Sequence, residues 1–375
     1  MDLANCPSKD ISNSNMLKHG GNLEQEARRL GVDINSIIDA SASLTPFPLP
    51  PYLRHTLIQS LHSEQIRFYP DRNHSALREA IAHYHSVKAS MVLPGNGASE
   101  LITWAGRDAA RTGVSILPSP GFSDYKRALE CWNAQYIYSP LPLKWNSNFP
   151  QSFPLPPSKN VIWITNPHNP TGQSWSLNSL EVLLRTHSLV ICDEAFLPLV
   201  PNGEKESLIP LVPDYPNLVV LRSLTKLFSI AGLRLGYAIS SAKRLEQWQA
   251  WRDPWPLNGL AIALGIMLMT EEGPLRRQIV KVQKWIEQEG SWLQENLERL
   301  SGLIAHPSST NFQLIESNTS LLRFREELAQ KQILLRDCRS FQGLGDNWLR
   351  ISLQEKSSNR TIIKAMQEVI NRDFE

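Results

Sequence analysis

Lys226 ends the run Ser223-Leu224-Thr225-Lys226, and Gly232-Leu233-Arg234-Leu235-Gly236-Tyr237 follows shortly after it. A lysine amine attacks a carbonyl carbon only once it has shed its proton, while hydroxyls and a guanidinium are groups that hold a phosphate monoester. Ser223 and Thr225 before the lysine, with Arg234 after it, therefore read as a carbonyl-binding lysine set beside a phosphate site. The short Ser-x-x-Lys pattern also occurs in unrelated serine enzymes, so the assignment depends on what else the chain supplies.

Three further segments bear on it. Asp193 closes the apolar run Leu189-Val190-Ile191-Cys192 and precedes Glu194-Ala195-Phe196. That puts a carboxylate at the carboxyl end of a buried strand, where open α/β sheets carry their ligands, and a cofactor pyridinium nitrogen requires such a partner. Val161-Ile162-Trp163-Ile164-Thr165 is a second buried strand and runs into Asn166-Pro167-His168-Asn169-Pro170-Thr171-Gly172, a turn stiffened by prolines. Val92-Leu93-Pro94 leads into Gly95-Asn96-Gly97-Ala98-Ser99-Glu100 and a helical stretch, whose first N–H groups can cradle a phosphate. Each segment alone has a plainer reading, as a helix cap, a turn or a tight strand-to-helix corner. In this order, each behind a strand, they point to pyridoxal 5'-phosphate (PLP). A nicotinamide site is disfavoured because the glycine segment lacks the third glycine of the dinucleotide pattern.

The order and spacing of these motifs resemble the fold-type I PLP enzymes, the aspartate aminotransferase superfamily, and within it the histidinol-phosphate aminotransferase branch, over nearly the whole chain. The resemblance implies an α/β fold: a large domain with a mostly parallel, doubly wound sheet and a small C-terminal α/β domain. It also implies roles. Lys226 bonds the cofactor aldehyde, Asp193 pairs with the ring nitrogen, Asn169 hydrogen-bonds the phenolic oxygen, and Phe122 of Pro120-Gly121-Phe122 stacks on the ring. Ala98 and Ser99 through their backbone N–H groups, with Ser223 and Arg234, would hold the cofactor phosphate; Tyr69 of Tyr69-Pro70-Asp71 would reach the partner's phosphate in a homodimer. Phe196 stands where those aminotransferases carry a tyrosine and cannot donate to the ring oxygen, which turns the expectation away from simple transamination.

The two ends of the chain narrow the branch. His19-Gly20-Gly21-Asn22, followed by Ile37-Ile38-Asp39-Ala40-Ser41-Ala42-Ser43-Leu44-Thr45-Pro46, resembles the L-threonine-O-3-phosphate decarboxylases of cobalamin biosynthesis. Asp193-Glu194-Ala195-Phe196 fits that family, as do Arg336 in Ile333-Leu334-Leu335-Arg336-Asp337-Cys338 and Arg350 in Trp348-Leu349-Arg350-Ile351-Ser352. The implied reaction is decarboxylation of an amino-acid phosphate, with His19, Gly20, Ser43, Asn169, Arg336 and Arg350 at the substrate. Two arginines also make chemical sense without the family, since an amino-acid phosphate offers two anions and each is best held by a guanidinium fork. Ser43 and Thr45 stand where the family usually has asparagines, which leaves open which amino-acid phosphate is bound. Histidinol-phosphate transamination is the alternative within the superfamily. A PLP-binding transcription regulator would need a winged-helix domain ahead of the PLP domain, and a match that starts at His19 leaves no place for one.

These residues need elements to position them. Strand and helix signals alternate from about Met91 to about Ser240, as a parallel, doubly wound sheet requires. A helix over Leu23 to Leu30 is expected, with Asn22 as N-cap, Gln25 three residues on and Gly31 as its stop. Pro46, Pro48, Pro50 and Pro51 mark a linker, a proline-rich surface connection runs from Pro140 to Pro157, and a long helical stretch covers Pro274 to Leu300. Strands near Phe312 to Ile315, Ile333 to Arg336 and Trp348 to Leu353, with a final helix, complete a smaller unit. The expected division is an N-terminal segment over residues 1–50, a large PLP-binding domain over 51–255 and a small domain over 256–375.

The 375 residues are 42% hydrophobic, ample for a core, and carry a formal charge of only +2, so there is no basic footprint for nucleic acid. His83 and His85 lie two apart on a helical stretch and face different ways, which excludes them as a metal pair. The 4 cysteines show no paired spacing, so neither disulfides nor zinc are expected. The first residues lack the pattern of a signal peptide, and the longest apolar run, Leu257 to Met269, is too short to span a bilayer. The expectation is a cytoplasmic enzyme with a small-molecule substrate and neither nucleic-acid nor membrane partners.

Overall fold

The computed structural model describes residues 20–156 and 158–372. It begins with α1 (Leu23–Leu30) and β1 (Ile38–Ala40). Gly31 ends α1 with a left-handed φ of 67°, a conformation that favours glycine. Asn22 occupies the N-cap position but caps nothing with its side chain, which donates to Gln25 Oε1 instead. The expected cap is thus a side-chain pair one turn long. After α2 (Pro51–His62) and α3 (Ser75–His85), the chain enters a βα succession. It comprises β2 (Val92–Asn96), α4 (Ala98–Thr112), β3 (Ser115–Ser119), α5 (Ser123–Glu130), β4 (Tyr136–Pro140), β5 (Val161–Thr165), α6 (Leu177–Leu184), β6 (Leu189–Asp193), β7 (Leu218–Ser223), α7 (Thr225–Phe228), β8 (Leu235–Ser240) and α8 (Ala242–Trp251).

Strands β2 to β8 form one sheet in the order β2-β8-β7-β6-β5-β3-β4, parallel except for β8, which is antiparallel to both its neighbours. The central strands are apolar throughout because both faces are covered. Val161, Trp163, Leu189 and Ile191 pack with α4, α5 and α8 on one face. Ile162, Ile164, Val190 and Cys192 point the other way, into a larger core that includes α3, α6 and α9 (Gly259–Thr270). Side chains one residue apart therefore belong to opposite layers. Gly106 of α4 lets α5 approach closely: a Cβ there would lie 2.7 Å from the Ala128 carbonyl oxygen.

The long helix α10 (Glu272–Leu297) leads to β9 (Ile304–Ala305), β10 (Phe312–Glu316), α11 (Leu322–Gln330), β11 (Ile333–Asp337), β12 (Trp348–Ser352) and α12 (Lys356–Arg372). The second sheet has the order β1-β11-β12-β10-β9. The N-terminal strand β1 thus runs parallel to β11, Ala40 opposite Leu335, and carries the segment after it across to the edge of the first sheet. Among the described residues no helix is long and apolar enough to cross a membrane, and no group of three or more histidine, cysteine, aspartate or glutamate side chains is arranged to hold a metal ion.

One buried ion pair ties together the strand ends that matter below. Glu194 follows β6 directly, and its Oε2 lies 2.8 Å from Arg222 Nη2 on β7, with the side chains 0% and 2% exposed. Arg222 Nη1 also meets Glu204 Oε1 at 2.7 Å. Burial opposes the charge on this guanidinium, but Glu204 and Glu194 outweigh it and push its pKa well above the ordinary value. Arg222→Leu leaves Glu194 buried without its cation and is expected to destabilise the fold by about 3–5 kcal/mol. Urea unfolding checks this, and a midpoint equal to that of the wild type would show that the pair contributes nothing.

Candidate active site

The residues singled out from sequence gather at one edge of the first sheet because of strand direction. Asn96, Asp193 and Ser223 are the last residues of β2, β6 and β7, and Asn166 follows β5. Arg234 enters from the opposite sense, since it precedes the antiparallel strand β8 and so starts where its neighbours end. The second sheet faces this edge with Arg336 and Arg350. Between them lies a cavity of about 240 Å³, whose lining includes Gly20, Ser43, Ala98, Ser99, Phe122, Asn169, Asp193, Phe196, Ser223, Lys226, Arg234, Arg336 and Arg350. Two other residues named from sequence stand apart. His19 lies outside the described residues. Tyr69 is 78% exposed and stacks on Trp255, away from the cavity.

Lys226 sits in the single turn α7, with its Nζ 5.4 Å from the centre of the Phe196 ring. Burial, with Arg350 next in effect, lowers its pKa to about 8, against the opposing pull of Asp193. The amine is therefore poised to lose its proton near neutrality, as a carbonyl-binding lysine must. Asp193 is buried, which raises its pKa above the usual carboxylate value. Its Oδ1 accepts the Ala195 N–H at 3.0 Å and its Oδ2 accepts the Tyr125 hydroxyl at 2.9 Å, so both oxygens are held from the protein side. Tyr125 also pairs with Thr165 Oγ1 at 2.8 Å.

The phosphate-side geometry is a cradle. Gly97 precedes α4 with φ 74°, and a Cβ there would lie 2.6 Å from Arg234 Nη2; a Cβ on Gly236 would lie 2.8 Å from the Ala98 nitrogen. Only glycine admits this approach of arginine, strand and helix start. Opening α4 at Ala98 and Ser99 aims unpaired N–H groups and the helix dipole at the cavity. The side that the second sheet presents is cationic. Arg350 donates from Nη1 to Asn169 Oδ1 at 2.5 Å and from Nη2 to the Ser41 carbonyl at 3.2 Å, while its buried Nε has no hydrogen-bond partner. With its oxygen so occupied, Asn169 keeps its amide N–H groups as donors. Burial and then the nearby Arg336 push the Arg350 pKa down to about 9.

Ser43 lines the cavity, but its hydroxyl is 2.9 Å from Ser352 Oγ, which ties the N-terminal segment to β12. Thr45 does the same toward α7, with Oγ1 3.0 Å from Ser229 Oγ. Both hydroxyls therefore serve as fasteners. Thr225, read from sequence as a phosphate-site hydroxyl, lines the cavity, whereas Tyr125, Thr165 and Phe341, which also line it, were missed by sequence reasoning. Tyr125 had a usable signal, being three residues after Phe122 and so near it at the start of α5. Phe341 had none, because it lies on a loop between β11 and β12.

The residues present fit PLP. The positive, glycine-opened cradle of Gly97, Ala98, Ser99 and Arg234 would hold its phosphate, buried Asp193 would pair with its ring nitrogen, and Lys226, with its lowered pKa, would bond its aldehyde. Comparison with known proteins agrees. The family model for aminotransferase class I and II matches residues 36–366. The threonine-phosphate decarboxylase of Salmonella typhimurium is 29% identical over 364 residues, covering 94% of this chain and 96% of that protein. A histidinol-phosphate aminotransferase of Halalkalibacterium halodurans is 27% identical over 362 residues, covering 95% of each. The histidinol-phosphate aminotransferase of Sinorhizobium meliloti, solved in complex with pyridoxal-5'-phosphate, superposes with a TM-score of 0.78 at 19% identity, over 94% of this chain and 95% of that one. Its likeness shows the fold. The cofactor of the matched family is PLP, and fold-type I is its architecture.

The lowered pKa of Lys226 gives a direct test. Because the neutral amine is the reactive form, PLP uptake by the apoprotein should accelerate as pH rises through about 8 and level off above it. Lys226→Ala should fold, bind PLP without the absorbance change that marks covalent attachment, and show no turnover. A visible band retained in the alanine variant would remove Lys226 from this role.

Proposed function

The chain belongs to the aminotransferase class I and II family, and on that footing we propose that it decarboxylates L-threonine O-3-phosphate to (R)-1-aminopropan-2-ol O-phosphate, the side-chain precursor of a cobamide. The observation that carries this reading is the pair of buried arginines, Arg336 and Arg350, that line the same cavity as Lys226. Two fixed cations suit a substrate with a carboxylate and a phosphate. Phe196 adds to it, since no hydroxyl at that position competes for the ring oxygen.

When bound, PLP supplies an electron sink for whichever bond is broken at the substrate Cα. The protein chooses the bond and handles the protons. Asp193, held by Tyr125 and Ala195, keeps a proton on the ring nitrogen. Arg350 grips an anion while fixed to Asn169 and Ser41, so the carboxylate it holds has one orientation relative to the cofactor site. When carbon dioxide leaves, Cα must gain a proton, and Lys226 Nζ is the buried group able to deliver it. Gly20 closes the cavity against Ser41, whose carbonyl oxygen would lie only 2.3 Å from a Cβ at that position.

The reaction class has a clear test. The holoenzyme should release carbon dioxide from O-phospho-L-threonine with no keto acid present. If product forms only with 2-oxoglutarate, and glutamate accumulates, the chain is an aminotransferase of the histidinol-phosphate kind.

The active unit in this reading is a homodimer in which Tyr69 completes the partner's phosphate site. Tyr69 is 78% exposed and continues an exposed apolar run with Ile58, Leu61, Ile66 and Phe68, the last 67% exposed. Such a run at a monomer surface fits a self-complementary interface. Mixing inactive Tyr69→Ala and Lys226→Ala chains should restore partial activity, because one hybrid site then holds both native groups. No recovery after demonstrated subunit exchange would show that Tyr69 does not act across an interface.

A further inference from the structure

Lys226 stands on a turn too short to hold itself. α7 runs only from Thr225 to Phe228, and its closing hydrogen bond, from the Phe228 N–H to the Leu224 carbonyl, is 3.3 Å long. A single helical turn fixes several dihedral angles for very few hydrogen bonds, and its last carbonyls have no partner inside the helix. Ser229, just after it, has a φ of 53°, a left-handed value that costs energy for a residue with a side chain. The place of the lysine is therefore decided by what grips the turn from outside.

The carbonyl of Leu227, the residue after the lysine, is where it is gripped. Gln278 of α10 donates to it from Nε2 at 3.0 Å. Thr45 Oγ1 reaches the same carbonyl only at 3.5 Å, and is also 3.0 Å from Ser229 Oγ. Gln278 is 6% exposed and Leu227 2%, so without the amide this carbonyl would stay buried with a poor partner. The helix that carries Gln278 is anchored further along. Gln283 Nε2 donates to the Pro198 and Val200 carbonyls at 3.1 and 3.0 Å, and Trp285 Nε1 donates to the Gln354 carbonyl at 3.1 Å. Burial of Leu227 and Phe228 draws the turn inward but has no direction, whereas a hydrogen bond to one carbonyl fixes its rotation. The charged groups that act on the Lys226 amine are Arg350 on β12, Asp193 at the end of β6 and Arg234 before β8. None of the three is on α7 or α10, so a rotation of the turn moves the amine relative to all of them.

We propose that Gln278 is a positioning residue for Lys226: its hydrogen bond to the Leu227 carbonyl fixes the rotation of the lysine turn and so aims the amine at the aldehyde of PLP. Gln278 does not line the cavity and carries no charge, so it acts through the turn. The inference rests on Lys226 as the residue that bonds the cofactor, and it holds for decarboxylation and transamination alike. Without the bond the turn gains freedom to rotate, the amine spends less time in its dry position, and its pKa rises from about 8 toward the ordinary lysine value.

The test uses the full chain, stripped of PLP and reloaded, and follows the visible absorbance that marks covalent attachment. Gln278→Met keeps the length of the side chain and removes the donor. Near neutral pH its attachment should be roughly tenfold slower than that of the wild type, the scale of one hydrogen bond lost from a buried carbonyl. The pH at which the rate levels off should move up by about half a unit or more. Gln294→Met is the control, because Gln294 lies on the same helix and likewise donates to a backbone carbonyl, that of Ala305 on β9, at 3.2 Å. It should lose stability while keeping the wild-type rate and pH profile. Gln278→Leu is the second donor-less variant should the methionine protein fail to fold. A wild-type rate and pH profile in a folded donor-less variant overturns the proposal. Equal slowing in Gln294→Met does so as well, since that is the mark of a general loosening of α10. If the wild type takes up PLP without covalent attachment, or if Lys226→Ala still attaches it, the reading of Lys226 falls and the inference goes with it.

Discussion

Keeping one amine buried, with its pKa drawn down to about 8, is the constraint on which the rest of this structure depends. Lys226 is out of water, and desolvation favours its neutral form. The neighbouring carboxylate of Asp193 works against that, since an acid close to an ammonium holds the charge on it. The fold resolves the conflict by engaging both Asp193 oxygens elsewhere, with Tyr125 and Ala195, and by placing Arg350 and Arg234 on the other side of the balance. The carboxylate's direction is therefore set by packing in the first sheet and not by the lysine it serves.

The price of such a site is like charge held in a dry place. Arg336 and Arg350 stand opposed across β11 and β12, where pairing would be stronger with almost any other combination. Elsewhere the same chain pairs its buried charges, as in Arg222 with Glu194 and Glu204. There a buried cation with matched acids holds strands together, whereas Arg350 donates to the uncharged oxygens of Asn169 and Ser41. The rings of Phe341 and Phe312 lie against Arg336 and Arg350 respectively, at 5.3 and 4.7 Å from ring centre to Cζ.

Two layers meet at the cavity through the N-terminal segment. β1 pairs with β11 in the second sheet, and the residues after it fasten to both sides: Ser43 to Ser352 of β12, Thr45 to Ser229 beside the lysine turn. The hydroxyls of Ser43 and Thr45 thus fasten the segment to the second sheet and to the lysine turn. A segment so anchored carries Gly20 and Ser41 to the cavity wall.

Local chemistry was enough to read the strands, the turns and the residues at their ends. Apolar runs such as Val161 to Thr165 and Leu189 to Asp193 declare buried strands, glycine marks the Gly97 cradle and the α1 stop at Gly31, and a charged or polar residue ending each strand marks a ligand edge. These signals extend over a few residues, and the chain keeps them whatever lies around it. What depended on tertiary structure lay between segments far apart: the antiparallel course of β8 that brings Arg234 to the shared edge, the register that sets Arg336 against Arg350, the grip of Tyr125 on Asp193, and the place of Phe341 beneath two arginines. Asn22 shows the limit at short range too, since its side chain took Gln25 over the helix backbone. Strand order and register are decided by which faces can be buried together, a sum over the whole core, and no window of sequence contains that sum.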